Sequence, residues 1–428
     1  MRSAHLRRRV KHGSWAVLDQ ALSSGTNFAT GLVAARLLGP NSFGHVVIAM
    51  SAVFLAVAAQ RAVVGEPALA HVPVLTPLAG RRVERDALAA AAGIGIAAGL
   101  LCLVVSLAPT TLVRDLHWAA LWLPTIVVQD GVRYVAFSRR RPDLAAASDA
   151  AWGIGQGAAL LVLVLAGKAW SPSRLITAWG VGALLGAAVG MWLLGVTPRH
   201  GRPGRWVKLS RSLSVWLLPQ TTLSQGSAQV SILLVGALLG AEAVGGFRAL
   251  QTLVMPMGAV ITVAIALLVP LLATVMQTAG PRGQTRLVRS LTVQAGLLAA
   301  IVAVLLAAWS TTVTRLVFGS SYVRFHNLVL PLALSMVVQA VGLPVGAGLR
   351  ALGEGRRVFL AQLVTSAVGL PALLLLSLTL GLGGAAWSLP LQTAVMTATA
   401  GALYRLAVRD RLRRKEGVGA PVNSHSVA

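Results

Sequence analysis

The sequence predicts an all-α polytopic membrane protein: twelve transmembrane helices in two related six-helix halves. Three observations carry this expectation. The 428-residue chain is 56% hydrophobic and 11% charged, with a mean hydropathy of +0.75, whereas soluble domains carry about 25% charged residues. Apolar runs of about 20 residues, the length that crosses the hydrocarbon core, recur along the whole chain. Finally, Leu37–Gly44 (LLGPNSFG) returns 201 positions later as Leu238–Gly245 (LLGAEAVG). The same register holds upstream, through Leu22/Leu223, Ser23/Ser224, Gly25/Gly226, Thr26/Ser227 and Leu32/Leu233. Self-similarity at a fixed offset marks a duplicated architecture.

Taken in order, the spans fall near 13–37, 43–65, 87–108, 117–137, 144–167, 175–196, 212–239, 246–272, 290–310, 327–348, 358–380 and 384–406. The first follows Arg7-Arg8-Arg9 in the manner of a secretory signal. Its internal recurrence as span 7 predicts that it is retained instead. Most of the 37 basic residues fall on one side of this topology. They cluster around Arg7–Lys11, Arg81–Arg85, Arg139–Arg141, Arg199–Arg211, Arg282–Arg289, Arg350–Arg357 and Arg405–Lys415. The positive-inside bias then places both termini in the cytoplasm, and four lysines against 33 arginines point to a high-G+C bacterial genome, hence to a bacterial plasma (inner) membrane. The expected domains are an N-terminal six-helix lobe (1–198), a basic cytoplasmic linker (199–211), a C-terminal six-helix lobe (212–408) and a cytoplasmic tail (409–428).

The net charge of +25 is thus a signal of topology and of anionic lipid, not of nucleic acid. A single cysteine, Cys102 in an apolar run, gives neither a disulfide framework nor a thiolate metal site. The histidines lack ligand spacing, the acids form no catalytic pair, and no phosphate loop is present. No catalytic residue, metal or cofactor is expected, and the chain reads as a non-enzyme.

Two polar stripes interrupt the apolar runs. Asp19, Ser23, Thr26 and Thr30, widened by Asn27, follow one face of a helix. At the constant offset, Gln220, Ser224, Ser227 and Ser231 repeat the pattern. Polar stripes do not face lipid, so both are read as cavity lining, with Ser/Thr helix packing as the alternative. The intramembrane charges are Asp19, Arg61, Asp130, Arg133 and Asp149 in the first half, and Glu242 and Arg248 in the second. Arg61, Arg133 and Arg248, the last with Gln251 one turn deeper, are candidate cationic lining; snorkelling to headgroups is the alternative. Asp130 and Arg133, three apart, are expected to share a helix face. Asp19, Asp130 and Asp149 are the coupling candidates, since a carboxyl in a low-dielectric site can load and release a proton. A static ion pair is the competing role. Pro219 is a candidate hinge, with simple kinking of the helix as the alternative.

Gly31–Met50, GLVAARLLGPNSFGHVVIAM, resembles the opening of bacterial polysaccharide exporters of the multidrug/oligosaccharidyl-lipid/polysaccharide (MOP) exporter superfamily. Their first span typically ends in an ARLLGP-x-x-[FY]-G turn, matched by Ala35–Gly44. The chain departs from the murein-lipid flippases of that superfamily, which carry two further spans, and Ala241 makes its second turn less polar. The resemblance implies a V-shaped pair of lobes working by alternating access. It also implies a flippase for a lipid-linked oligosaccharide or O-antigen, serving lipopolysaccharide or exopolysaccharide synthesis. Its partners would be the lipid-linked glycan, anionic lipids, an H+ or Na+ coupling ion and glycan-assembly proteins. The alternatives are a MATE-like drug or metabolite cation antiporter, with an acidic and aromatic cavity, and a membrane glycan polymerase or ligase.

Overall fold

The computed structural model describes the backbone of residues 2–418 and the side chains of 31–413 other than 224, 256–263 and 266. Every regular element among the described residues is helical. The main helices are α1 (Arg2–Gln60), α2 (Glu66–His71), α3 (Pro77–Ser106), α4 (Leu116–Ser138), α5 (Pro142–Leu165) and α6 (Pro172–Leu194). They continue with α7 (Pro203–Thr221), α8 (Ser227–Thr278), α9 (Gly280–Ala308), α10 (Ser310–Phe318), α11 (Val329–Ala351) and α12 (Gly355–Val418).

The three longest helices each contain a break, and glycine makes each break. Gly39 in α1 has φ 71° and ψ 169°, Gly240 in α8 has φ 85° and ψ 173°, and Gly381 in α12 has φ 59° and ψ −140°. A positive φ is costly for any residue with a Cβ. Gly39 and Gly240 are equivalent under the 201-residue repeat and adopt nearly the same backbone conformation. Pro40 follows the first break, where a first helical turn needs no N–H. Divided at these glycines, the long helices give the multi-pass arrangement expected from the twelve apolar runs. Among the described residues, eight stretches are long and apolar enough to cross a membrane, and the 59-residue stretch Gly355–Arg413 accommodates two passes.

Two π-turns were not legible in the sequence, Arg61–Gly65 after α1 and Thr222–Gly226 after α7. Pro219 lies inside α7, three residues before the second of them. The basic segment 199–211 is also more ordered than a loop, because α7 starts within it at Pro203. Trp206 is fully buried and donates its indole N–H to Val63 O at 2.9 Å. Arg205 grips Asp86 through Nε and Nη2 at 2.6 and 2.9 Å, and the Arg202 amide donates to the same carboxylate at 2.7 Å. The one-sided burial of Trp206 and Ser210, one turn apart, is what makes this stretch a packed helix.

Two compact bodies emerge from the contacts: Met1–Thr252 with Thr314–Phe325, and Leu253–Val313 with His326–Ala428. The first is built around Val53, Leu123, Val127, Trp179 and Trp206. Small residues bring its helices close: a methyl group at Gly99 would press on Ala120 O of α4 at 2.8 Å, the close approach that membrane helices use in place of a hydrophobic drive. The second body centres on Leu272, Leu349 and Tyr404. There the buried Gln284 donates to Leu272 O at 3.2 Å and accepts from the Tyr404 hydroxyl at 3.1 Å.

Candidate functional site

Four of the intramembrane charges of the first half, Arg61, Asp130, Arg133 and Asp149, converge on one place. Arg61, at the start of the π-turn, meets Asp130 of α4 through two hydrogen bonds, Nε to Oδ2 at 3.0 Å and Nη2 to Oδ1 at 2.7 Å. Arg133, one turn on, reaches Asp130 at 3.5 Å and Asp149 of α5 at 3.1 Å. Two guanidinium groups and two carboxylates therefore form a neutral quartet. The expected Asp130–Arg133 pairing is present, but the tighter partner of Asp130 is Arg61, 69 positions away, which helical spacing does not reveal. The Asp130 side chain is 5% exposed and that of Arg61 29%, so the cluster is buried with one cationic edge accessible.

Neighbours hold the quartet in place. Gln129 donates to Asp149 Oδ1 at 2.8 Å and to the Ser148 hydroxyl at 3.2 Å, and Ser148 donates to Gly186 O at 2.9 Å. The Arg61 guanidinium lies 6.0 Å from the Tyr134 ring centre and that of Arg133 6.0 Å from Phe137, within cation–π range. Gln60 is wholly buried, and its amide has no protein partner among the described residues. It lies against Gly131, beside Asp130. Gln60, Gln129 and Ser148 follow no periodic pattern in the sequence; a glutamine flanking a charged residue in an apolar run is the one local signal of this cluster.

The repeat turns form a second feature. A methyl group added at Gly44 would overlap Ala241 O, and one added at Gly245 would overlap Pro40 O. Because 44 maps to 245 and 40 maps to 241, these two contacts are one contact applied twice. Such reciprocity is the mark of a two-fold relation, here between the break regions of α1 and α8. The segment Thr314–Phe325 covers the turns: Tyr322 donates to Ala35 O at 2.9 Å, Arg36 to Leu316 O at 3.4 Å, and Arg324 pairs with Glu242.

The second polar stripe is seen in part. Gln220 is exposed, and Ser227 and Ser231 are half-buried. Both serines donate to backbone carbonyls of their own helix, Leu223 O at 2.7 Å and Ser227 O at 2.8 Å. The π-turn Thr222–Gly226 interrupts the regular spacing assumed for this stripe. Asp19, Ser23, Thr26, Asn27 and Thr30, together with Ser224, have side chains outside the described residues. Arg248 is half-buried in α8, and its Nη1 donates to Gln251 Oε1 at 3.2 Å. It has no carboxylate partner among the described residues.

A multi-pass helical membrane protein with an internal duplication and buried intramembrane charge is the class these features define. Its fold is that of solved MOP superfamily transporters. An inward-facing multidrug resistance MATE family transporter of the superfamily matches with a TM-score of 0.67 at 13% identity, over 93% of this chain and 99% of that one. The lipid II flippase MurJ, in an inward closed conformation, matches with a TM-score of 0.68 at 10% identity, over 96% and 93%. A MOP superfamily transporter from Pyrococcus furiosus, described as having a binding pocket of reverse polarity that suggests a different function, matches at 0.63 and 12% identity, over 94% and 96%. At such identities the likeness establishes the fold. No family model matches the chain, and no curated protein matches it.

Proposed function

We propose that this chain is a secondary transporter that moves a lipid-linked oligosaccharide or polysaccharide precursor across the bacterial plasma membrane by alternating access. The observation that carries the proposal is Arg248, a half-buried guanidinium bonded to the Gln251 amide and facing no acid among the described residues. A cation inside a membrane segment is costly unless something answers it. A diphosphate-linked cargo supplies the missing anion, and the planar fork of arginine matches phosphate oxygens. The MurJ fold, belonging to a lipid II flippase, supports a lipid-linked cargo.

In this reading the lobes 1–198 and 212–408 are the moving halves, joined by 199–211, and both termini with the tail 409–428 lie in the cytoplasm. The stripes at Asp19, Ser23, Thr26, Asn27, Thr30 and at Gln220, Ser224, Ser227, Ser231 line the path. Coupling to H+ or Na+ runs through Asp130, Asp149 or Asp19. Glycan-assembly proteins supply the cargo.

The quartet favours a second reading. Asp130 and Asp149 stand in one buried cluster with Arg61 and Arg133, and a MATE-like proton-coupled cation antiporter would load its proton by opening one of these ion pairs. The test presents both cargoes to the purified chain in proteoliposomes. The flippase reading expects a lipid-linked oligosaccharide to change leaflet, read by an enzyme confined to the outside. The antiporter reading expects ΔpH-driven efflux of an organic cation with no glycan movement.

A further inference from the structure

We propose that the pocket between α3 and α7 holds one anionic phospholipid of the adjoining leaflet. The pocket has a volume of about 410 Å³ and is lined by Thr76, Leu78, Arg82, Asp86, Arg205 and Leu209 among others. Its position follows from length. At about 1.5 Å per residue, the 30 residues of α3 span about 45 Å, well beyond the roughly 30 Å hydrocarbon core. The first turns of α3, with Arg81, Arg82 and Arg85, therefore stand in the headgroup layer, and the start of α7 packs beside them.

The wall chemistry is that of a phospholipid's polar–apolar junction. Leu78 is 80% exposed and Leu209 41%, an apolar rim suited to acyl chains. Arg82 is exposed and Arg205 keeps half its side chain accessible, so two guanidinium groups face the same opening. Asp86 balances Arg205, so the net positive charge of the wall is that of Arg82. The Asp86 carboxylate is buried and engaged by Nε and Nη2 of Arg205 and by the Arg202 amide. That grip fixes the Arg205 plane through Nε and Nη2 and leaves Nη1 outside the pairing with Asp86. Arg81, Arg85, Lys208 and Arg211, all exposed, add a surrounding positive field that draws anionic headgroups. A phosphodiester with two acyl chains satisfies both halves of this wall at once, which a soluble phosphate does not.

The experiment is native mass spectrometry of the full chain in detergent, titrated with dioleoyl phosphatidylglycerol, dioleoyl phosphatidylcholine or inorganic phosphate. It depends neither on transport nor on which side of the membrane the pocket faces. The expected result is one tightly retained phosphatidylglycerol per chain, bound well above phosphatidylcholine. Arg82→Gln should weaken it about fivefold, the effect of one basic residue near a membrane surface. Arg205→Lys, which keeps a charge against Asp86, should weaken it less. Arg286→Gln, an exposed basic residue of the other body, should leave it unchanged. Equal retention of the two lipids, an equal loss in Arg82→Gln and Arg286→Gln, or displacement of the lipid by millimolar phosphate would overturn the proposal.

Discussion

Neutralising Asp130 removes the acid that Arg61 and Arg133 share. Asp130→Asn leaves Arg61 without its two charged hydrogen bonds of 3.0 and 2.7 Å, while Arg133 keeps Asp149 at 3.1 Å. The site then carries one excess positive charge among side chains 5–29% exposed. Breaking a buried ion pair by deleting one partner costs about 3–5 kcal/mol. Arg61 retains some solvent access, which puts the loss near 3 kcal/mol. Arg61→Gln leaves Asp130 with Arg133 at 3.5 Å, a smaller loss of about 2 kcal/mol. The double variant restores neutrality, with Arg133 and Asp149 still paired, so the two losses should fall short of additive by about 2 kcal/mol. Reversible unfolding of the four full-length proteins in mixed micelles measures this cycle. Additivity within about 0.5 kcal/mol would refute the quartet as a coupled unit.

Other perturbations follow from the same geometry. Gly44→Ala and Gly245→Ala should each destabilise by about 2 kcal/mol through overpacking, and by similar amounts, because they break two copies of one contact. Gly93→Ala, in a helical position with open space around it, should instead stabilise by up to about 1 kcal/mol; unfolding midpoints separate the three. Trp206→Phe should cost about 1 kcal/mol for the lost bond to Val63, read in the same assay. Single cysteines at Arg82, Arg140, Arg286 and Arg356, in a Cys102→Ala background, should label from the cytoplasmic side only, and outside labelling at any two would overturn the topology.

Local sequence revealed what depends on local physics. The repeat located both glycine breaks, since only glycine tolerates the backbone of Gly39 and Gly240, and the span limits 358–380 and 384–406 leave room for the break at Gly381. Apolar run length gave the helices. What stayed hidden depends on distant partners. Helical spacing pairs Asp130 with Arg133, its neighbour, and not with Arg61, because nothing in a sequence reports a contact over 69 positions. The segment 199–211 read as a linker from its prolines, glycines and charge, yet Asp86 and Val63 supply the partners that dock it. The π-turns at Arg61–Gly65 and Thr222–Gly226 have no composition of their own, so the even spacing assumed for the second polar stripe does not survive in space.

In the proposed function the guanidinium of Arg248, which faces no acid among the described residues, receives the phosphates of a lipid-linked glycan. The most direct test of this role is the leaflet-exchange rate of a diphosphate-linked oligosaccharide in proteoliposomes carrying the native chain, Arg248→Lys or Arg248→Gln, at matched insertion. A charged hydrogen bond contributes about 1.5–3 kcal/mol, so Arg248→Gln should slow exchange at least tenfold, with Arg248→Lys between it and the native chain. Exchange by Arg248→Gln at the native rate would contradict the account.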